Sequence, residues 1–324
     1  MTDTRTDGTQ EVRVAEIVAE TPAVRTLRLE KLDGAPFAGY EAGAHVDVTG
    51  PTGILRQYSL CSPPEESTSI LIAVKREPAS RGGSVALHEL QVGDVLQVGR
   101  PRNLLGLAAD ATHHVLVAGG IGVTPLLSMA YALDKRGGEF TLHYFARSRE
   151  EMAFRELLEE RAGFRDRVRL HVGVDLATQE QVLRAAVAEA PAGAHVYTCG
   201  PAPFMDQVVA VASPVVGADA VHVEHFVAEA VDTSADTAFT VALDTGEEFE
   251  VPADRSILSV LEDNGIEVFK SCTEGICGSC VSGLLEGVAD HRDQCISAAD
   301  KAAGTEIALC VSRAKTDRLV IELY

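Results

Sequence analysis

Ser271-Cys272-Thr273-Glu274-Gly275-Ile276-Cys277-Gly278-Ser279-Cys280 sets three thiols at C-x4-C-x2-C spacing, and Cys310 supplies a distant fourth. Three close cysteines plus one remote partner form the ligand pattern of a plant-type 2Fe-2S cluster. The glycines between them let backbone N–H groups turn toward inorganic sulfur with no Cβ in the way. A zinc knuckle or a disulfide pair are the competing readings. Zinc sites favour two separate short Cys pairs, however, and no second pair follows Cys277 and Cys280. Cys272, Cys277, Cys280 and Cys310 are therefore expected to ligate iron, which makes the end of the chain an electron carrier.

Just upstream, Phe239 to Leu243 and Glu248 to Val251 alternate as a hairpin around Asp244-Thr245-Gly246. A helix from Ser256 to Asn264 follows, with Ser256 as its N-cap. Ala228 to Thr237 is small and polar with no apolar period, so a surface linker is expected there.

Further upstream, the strand His114 to Ala118 enters Gly119-Gly120-Ile121-Gly122-Val123-Thr124-Pro125 and a helical stretch, Leu126 to Leu133. Strand Phe140 to Phe145, helix Glu151 to Arg161, strand Val168 to Val172, helix Gln179 to Ala190 and strand His195 to Thr198 continue the alternation expected of a parallel sheet. From Val12 to Val98, by contrast, short β-rich segments are separated by Gly and Pro without helices, which predicts an antiparallel barrel.

The expected fold class is thus multidomain: an antiparallel β-barrel over 1–109 and an α/β parallel-sheet domain over 110–228, which the constellations and the resemblance given below imply to be a flavin domain and a nucleotide domain, a linker over 229–237, and an α+β plant-type ferredoxin (β-grasp) domain over 238–324. A chain of 324 residues with 46% hydrophobic content has room for two or three such cores. The 28 Lys and Arg against 48 Asp and Glu give a net charge of −20, which disfavours a nucleic-acid partner by repulsion from phosphate. From Phe239 to Tyr324 there are 16 acids and 7 bases, a net −9, so the acidic excess concentrates around the cysteine loop. Solubility charge and steering toward a basic docking face are both open readings. No run of about 18 apolar residues suggests a membrane span, and Met1 to Gln10 is polar. With Cys61, Cys199 and Cys295 scattered as thiols, a cytoplasmic, monomeric protein is expected.

Two further constellations suggest cofactors. Arg56-Gln57-Tyr58-Ser59-Leu60 carries a cation, an aromatic and a hydroxyl on one strand, with Arg56, Tyr58 and Leu60 on one face. Ser80-Arg81-Gly82-Gly83-Ser84 offers glycine backbone, a guanidinium and hydroxyls, which together suit a flavin phosphate; a plain Gly-Gly turn is the alternative. Gly119, Gly120 and Gly122 follow a buried strand and could cradle a pyrophosphate, although the full G-x-G-x-x-G spacing is missing. Cys199-Gly200-Pro201 ends another strand at the sheet edge where ligands of open α/β folds bind; a buried small residue is the bland reading of Cys199.

In this order, the pieces resemble the phthalate dioxygenase reductase family, which serves Rieske-type oxygenases and includes vanillate O-demethylase reductases. The resemblance spans nearly the whole chain. It rests on Arg56 to Cys61, Ala73-Val74-Lys75-Arg76, Arg81 to Ser84, Val117 to Pro125, Cys199-Gly200-Pro201, Val221-His222-Val223-Glu224 with Phe226, Ala289 to Asp293, and Cys310 to Lys315. It implies FMN in the first module, NADH in the second and the cluster in the third. Arg56, Tyr58 and Ser59 would then hold the flavin, Ala73, Val74 and Lys75 would line it, and Arg81, Gly82, Gly83 and Ser84 would take its phosphate. Thr124 would approach the flavin ring and Phe226 would cover one of its faces. Cys199 and Thr124 would help position the nicotinamide, with Gly200 and Pro201 beside them.

The resemblance favours NADH, while Arg147 and Arg149 offer guanidinium groups that could bind a 2′-phosphate. Cys295 stands where relatives carry an aliphatic residue, and is read as a packed thiol. The implied reaction runs from NADH through FMN and the cluster to a terminal oxygenase as protein partner. A flavin is needed because a nicotinamide gives its electrons as a pair and the cluster takes them singly. A reductase for a thiolate-haem monooxygenase, or a non-enzymatic ferredoxin-like carrier, are the alternatives.

Overall fold

The computed structural model describes residues 8–79 and 81–323. They divide into two compact units, Met1–Glu224 and His225–Tyr324.

The first unit begins with a six-stranded antiparallel sheet: β1 (Gln10–Ala19), β2 (Val24–Lys31), β3 (His45–Thr49), β4 (Leu55–Ser59), β5 (Ile70–Lys75) and β6 (Val95–Val98), with α1 (Gly83–His88) between the last two. Its strand order is β4-β3-β6-β1-β2-β5, and a bridge between Leu60 and Ile72 joins the two edges. Closing the edges in this way removes unpaired backbone groups, as a barrel requires. Val12, Val14, Leu27, Leu29, Val46, Val48, Leu60 and Ile72 fill its interior.

The chain then forms a parallel sheet of β7 (His113–Gly119), β8 (Phe140–Ala146), β9 (Val168–Val172), β10 (Ala194–Cys199) and β11 (Val221–Glu224), in the order β11-β10-β7-β8-β9. Its helices are α2 (Val123–Lys135), α3 (Leu176–Ala188) and α4 (Ala202–Val216). Asp175 caps α3 by accepting from the Thr178 N–H at 2.7 Å. The expected helix over Glu151 to Arg161 is reduced to a π-helical turn, Leu157–Arg161. Phe154 explains the loss, because its φ of 57° is left-handed and cannot start a helix. Its N–H is received by Glu20 Oε2 at 2.9 Å, from the end of β1.

The barrel and the parallel sheet share a core. One hydrophobic cluster contains Val24, Ala42, Cys61, Ala73 and Leu105 from the barrel side together with Leu116, Leu126, Leu142 and Tyr197 from the α/β side. The Tyr197 hydroxyl accepts from the Ala108 N–H at 2.9 Å, tying the connection to the sheet.

The second unit holds a mixed sheet ordered β13-β12-β18-β14-β16, built from β12 (Phe239–Leu243), β13 (Glu248–Val251), β14 (Val281–Glu286), β16 (Glu306–Ala308) and β18 (Arg318–Glu322). A two-stranded ribbon pairs β15 (Ala289–Asp290) with β17 (Arg313–Ala314). Helix α5 (Ile257–Asp263) is capped by Ser256, whose side chain accepts from the Ser259 N–H, and α6 (Ala298–Ala303) is capped by Ser297. The polar segment expected to be a surface linker ends in an anchor. Asp236, with a side chain 6% exposed, receives Arg292 through two bonds of 2.9 and 2.5 Å.

Candidate functional site

In the second unit, the loop between α5 and β14 carries Cys272, Cys277 and Cys280, Cys310 follows β16, and all four thiols are buried. Gly275 (φ +78°) and Gly278 (φ +71°) make the loop's left-handed turns, as does Thr273 (φ 59°). An added Cβ on Gly275 would lie 2.7 Å from Val311 Cγ2, so glycine is required there. The turns aim backbone N–H groups at sulfur: Glu274 donates to Cys272 Sγ at 3.3 Å, and Cys272 donates to Cys277 Sγ at 3.4 Å.

The sulfurs form two hydrogen-bonded pairs, Cys272 with Cys277 and Cys280 with Cys310. Among the described residues, no three His, Cys, Asp or Glu side chains gather around one point where a single ion could be held. Two thiol pairs with N–H donors to sulfur suit a two-iron cluster, one pair for each iron, better than one tetrahedral zinc.

Asp293 supports the loop from behind. Its Oδ2 accepts from the Ile296 N–H at 2.9 Å and its Oδ1 from Ser312 Oγ at 3.1 Å. Cys295 points its thiol at the same carboxylate at 3.7 Å, and burial pushes that thiol up to about 12. It is a packed thiol outside the ligand set.

In the barrel, β4 carries Arg56 and Tyr58 on one face and Ser59 on the other. Tyr58 packs against the barrel core, and burial pushes its hydroxyl up to about 12. Gly83 approaches Arg56 so closely that an added Cβ would sit 3.4 Å from Arg56 Cγ and 3.3 Å from Ile54 Cγ2. Strand β4 and the Arg81-Gly82-Gly83-Ser84 turn are therefore adjacent; Ser80 lies outside the described residues. Gly82 has φ +100° with open space where a Cβ would be, and Ser84 Oγ accepts from the Glu77 N–H at 3.1 Å. On β5, Ala73 is buried in the core shared with the parallel sheet and Val74 in the barrel interior, while Lys75 pairs with Glu77 at 2.5 Å. The Ser59 hydroxyl is buried without a hydrogen-bond partner. An orphaned hydroxyl, a guanidinium and an open glycine turn are what a bound flavin with its phosphate would complete.

At the end of the parallel sheet, two turns press together. An added Cβ on Gly122 would meet Cys199 O at 2.1 Å, and one on Gly119 would meet the Phe204 ring at 2.8 Å. Gly119 and Gly122 are thus required by this packing, which also involves Gly200, while Gly120 (φ +55°) faces open space. Pro201 starts α4 at its N-cap. Thr124 is buried and donates to Ile121 O at 3.0 Å. Cys199 is fully buried, and desolvation raises its thiol well above the ordinary value. Phe226 belongs to the second unit and is 36% exposed.

Two buried residues escape sequence reasoning. His45 sits in a strand whose pattern shows only burial, and Glu224 closes the Val221-His222-Val223-Glu224 segment that carries the resemblance, without a role assigned to it there. The signal available was a titratable side chain inside an apolar strand.

A 2Fe-2S iron-sulfur cluster binding domain matches residues 241–315, and the N-terminal domain of a dimethylamine monooxygenase subunit DmmA-like family matches residues 100–222. A vanillate O-demethylase oxidoreductase of Pseudomonas sp. is 42% identical over 303 residues, covering 92% of this chain and 95% of that one. The solved phthalate dioxygenase reductase is 39% identical with a TM-score of 0.71, covering 98% of both chains. An intact type IV self-sufficient cytochrome P450 monooxygenase is 36% identical with a TM-score of 0.86, covering 97% of this chain but 41% of its own length.

Barrel, nucleotide sheet and cysteine loop together define an electron-transfer oxidoreductase of the flavin and iron-sulfur class. The chain belongs to the phthalate dioxygenase reductase family, the reductase components of oxygenase systems, and its last domain is of the kind that binds a 2Fe-2S cluster. No helix among the described residues is long and apolar enough to cross a membrane.

Proposed function

We propose that Arg56, Tyr58, Ser59 and the Arg81–Ser84 turn hold FMN, that Gly120, Thr124, Cys199, Gly200 and Pro201 form the nicotinamide end of the NADH site, and that Cys272, Cys277, Cys280 and Cys310 hold the cluster feeding a terminal oxygenase. The observation that carries this reading is the pair of buried thiol couples in a loop whose N–H groups point at sulfur. When bound, the flavin accepts the electron pair of NADH and releases it one electron at a time. Arg56 and Arg81 supply charge-assisted bonds for phosphate, while the packed Gly119 and Gly122 turn keeps the sheet edge rigid.

The guanidinium groups that could take a 2′-phosphate are neutralised in place. Arg147 pairs with Glu151 at 3.1 Å, and Arg149 donates to Glu159 at 2.7 and 2.9 Å. Carboxylates in that loop would repel a further phosphate, which supports NADH over NADPH.

The net −9 of the last 86 residues supports an acceptor with a basic docking face. A Rieske-type aromatic oxygenase or O-demethylase is the partner class favoured by the relatives. The match to the self-sufficient P450 favours a thiolate-haem acceptor as the second reading. The same proposal places the protein in the cytoplasm as a monomer, in keeping with its scattered free thiols. Cys272→Ser tests the wiring: NADH-driven flavin reduction should persist while reduction of a supplied oxygenase is lost, and surviving oxygenase reduction would refute the route.

A further inference from the structure

The chain leaves the first unit at Glu224 and enters the second through a segment, 225–235, that is mostly exposed and has no strand or helix of its own. Left loose, 11 such residues would have a root-mean-square span of about 18 Å. Gln294 stops that looseness at its first residues. The Gln294 N–H donates to Gly275 O at 2.8 Å, on the turn between Cys272 and Cys277. Its side-chain Oε1 accepts from the Glu229 N–H at 3.1 Å, and its Nε2 lies 3.1 Å from His225 Nδ1. One residue thus holds the cysteine loop by its backbone and the start of the second unit by its carboxamide.

The backbone N–H of Glu229 can only donate, so it fixes which end of the carboxamide faces it. Nε2 therefore donates to His225, whose Nδ1 accepts. The backbone beneath this side chain is itself held firmly. Lys301 Nζ donates to Asp293 O at 2.5 Å, and the Asp293 carboxylate is bonded to Ile296 and Ser312. A Cβ on Gly275 would lie 3.3 Å from Asp293 Cα, so the cysteine loop packs directly on this stretch. Arg292, two residues before Gln294, binds Asp236 through two bonds. Arg292 and Gln294 thus pin both ends of 225–236 to the same short segment of the cysteine-bearing domain.

We propose that Gln294 is a positioning residue for electron transfer into the cluster, clipping the chain that leaves the first unit onto the cysteine loop. The inference rests on the flavin and cluster sites assigned above. His225 directly follows Glu224, the last residue of the first unit. With the clip closed, one residue of chain joins that unit to a clamped point on the cysteine loop; with it open, 11 residues do. Shortening a tether in this way raises the effective concentration of one site at the other. In the step served, the one electron that reduced flavin loses is the one that a ferric iron gains. Gln294 makes and breaks no covalent bond. Each neutral hydrogen bond is modest, so the clip acts by lowering the population of the open tether.

The test uses the full chain loaded with flavin and cluster. Gln294→Met fills the same volume without the two side-chain bonds. In stopped flow with NADH it should leave flavin reduction within twofold of wild type and slow the following reduction of the cluster about tenfold. Gln294→Glu should restore that rate, because a carboxylate accepts from the Glu229 N–H and from an N–H at His225 Nδ1. His225→Leu should slow the same step, and the double variant should be no slower than Gln294→Met. Hydrogen-exchange mass spectrometry gives a second readout, independent of turnover: the peptide containing Glu229 should exchange about tenfold faster in Gln294→Met. The proposal is overturned if Gln294→Met leaves cluster reduction within twofold of wild type, if exchange at Glu229 is unchanged, or if the two losses multiply in the double variant. Failure of the reductase reading would appear separately, as wild-type flavin that NADH does not reduce.

Discussion

Gly122 shows how one residue can be read correctly as special and for an incomplete reason. In the sequence, Gly119-Gly120-Ile121-Gly122 suggests a phosphate cradle, but a side chain at Gly122 is excluded by the Cys199 carbonyl at 2.1 Å. Sequence spacing exposes glycine, not the second turn that makes it necessary. Gly122→Ala should destabilise the first unit by about 2–3 kcal/mol through overpacking, seen as an earlier release of flavin on heating. Glu224 was legible as the last residue of the Val221–Glu224 segment that carries the resemblance and His45 only as a strand position, because nothing in a linear pattern tells which strand of another module either faces.

Their titration sets a stability profile. Glu224, raised from 4.5 to about 8, contributes fully below about 4.5 and loses that contribution as pH rises through about 8. His45, lowered from 6.5 to about 4, has the opposite slope, losing its contribution as pH falls from 6.5 toward 4. Between 6.5 and about 8 only the Glu224 slope remains. The temperature of flavin release should therefore fall as pH rises across that window, and Glu224→Gln should flatten the curve.

Among the elements, those governed by local rules were the readable ones. The Ser256 cap, the Asp244-Thr245-Gly246 hairpin and the alternating strands of the barrel appear as their residues suggest. The segment after β8 does not, since Glu151 to Arg161 has helical composition but begins beside a left-handed Phe154 held by the Glu20 carboxylate just after β1. The polar stretch before β12 likewise hides a long-range clasp. Arg313, with a side chain 7% exposed, donates to the carbonyls of Arg255, Thr237 and Pro252 at 2.6 to 2.9 Å, stacks over Phe239 at 5.0 Å and lies 3.5 Å from Asp236. Arg313→Ala leaves three carbonyls and part of a buried carboxylate unpaired. It should cost about 3 kcal/mol, measured as a lower denaturant midpoint for loss of the cluster's visible absorbance in the full chain.

Across the whole molecule, the order of barrel, parallel sheet and cysteine-bearing domain was legible because each has its own period and its own motif. Their association was less so: the barrel and the parallel sheet share one buried cluster, although the patterns of the two segments read as separate cores. Charge acts at this scale as well. If the acidic final domain steers the acceptor, the bimolecular rate of acceptor reduction should fall several-fold between low and about 0.5 M salt, while the rate of flavin reduction by NADH stays level. The central claim is that NADH reduces a flavin and a two-iron cluster carried on the same chain. Anaerobic titration with NADH, followed by the visible spectrum, tests it most directly. Two electrons for the flavin and one for the cluster predict bleaching of both at about 1.5 equivalents per chain, falling to about one equivalent in Cys272→Ser. Cluster-replete protein whose iron-sulfur absorbance is untouched by NADH would contradict the account.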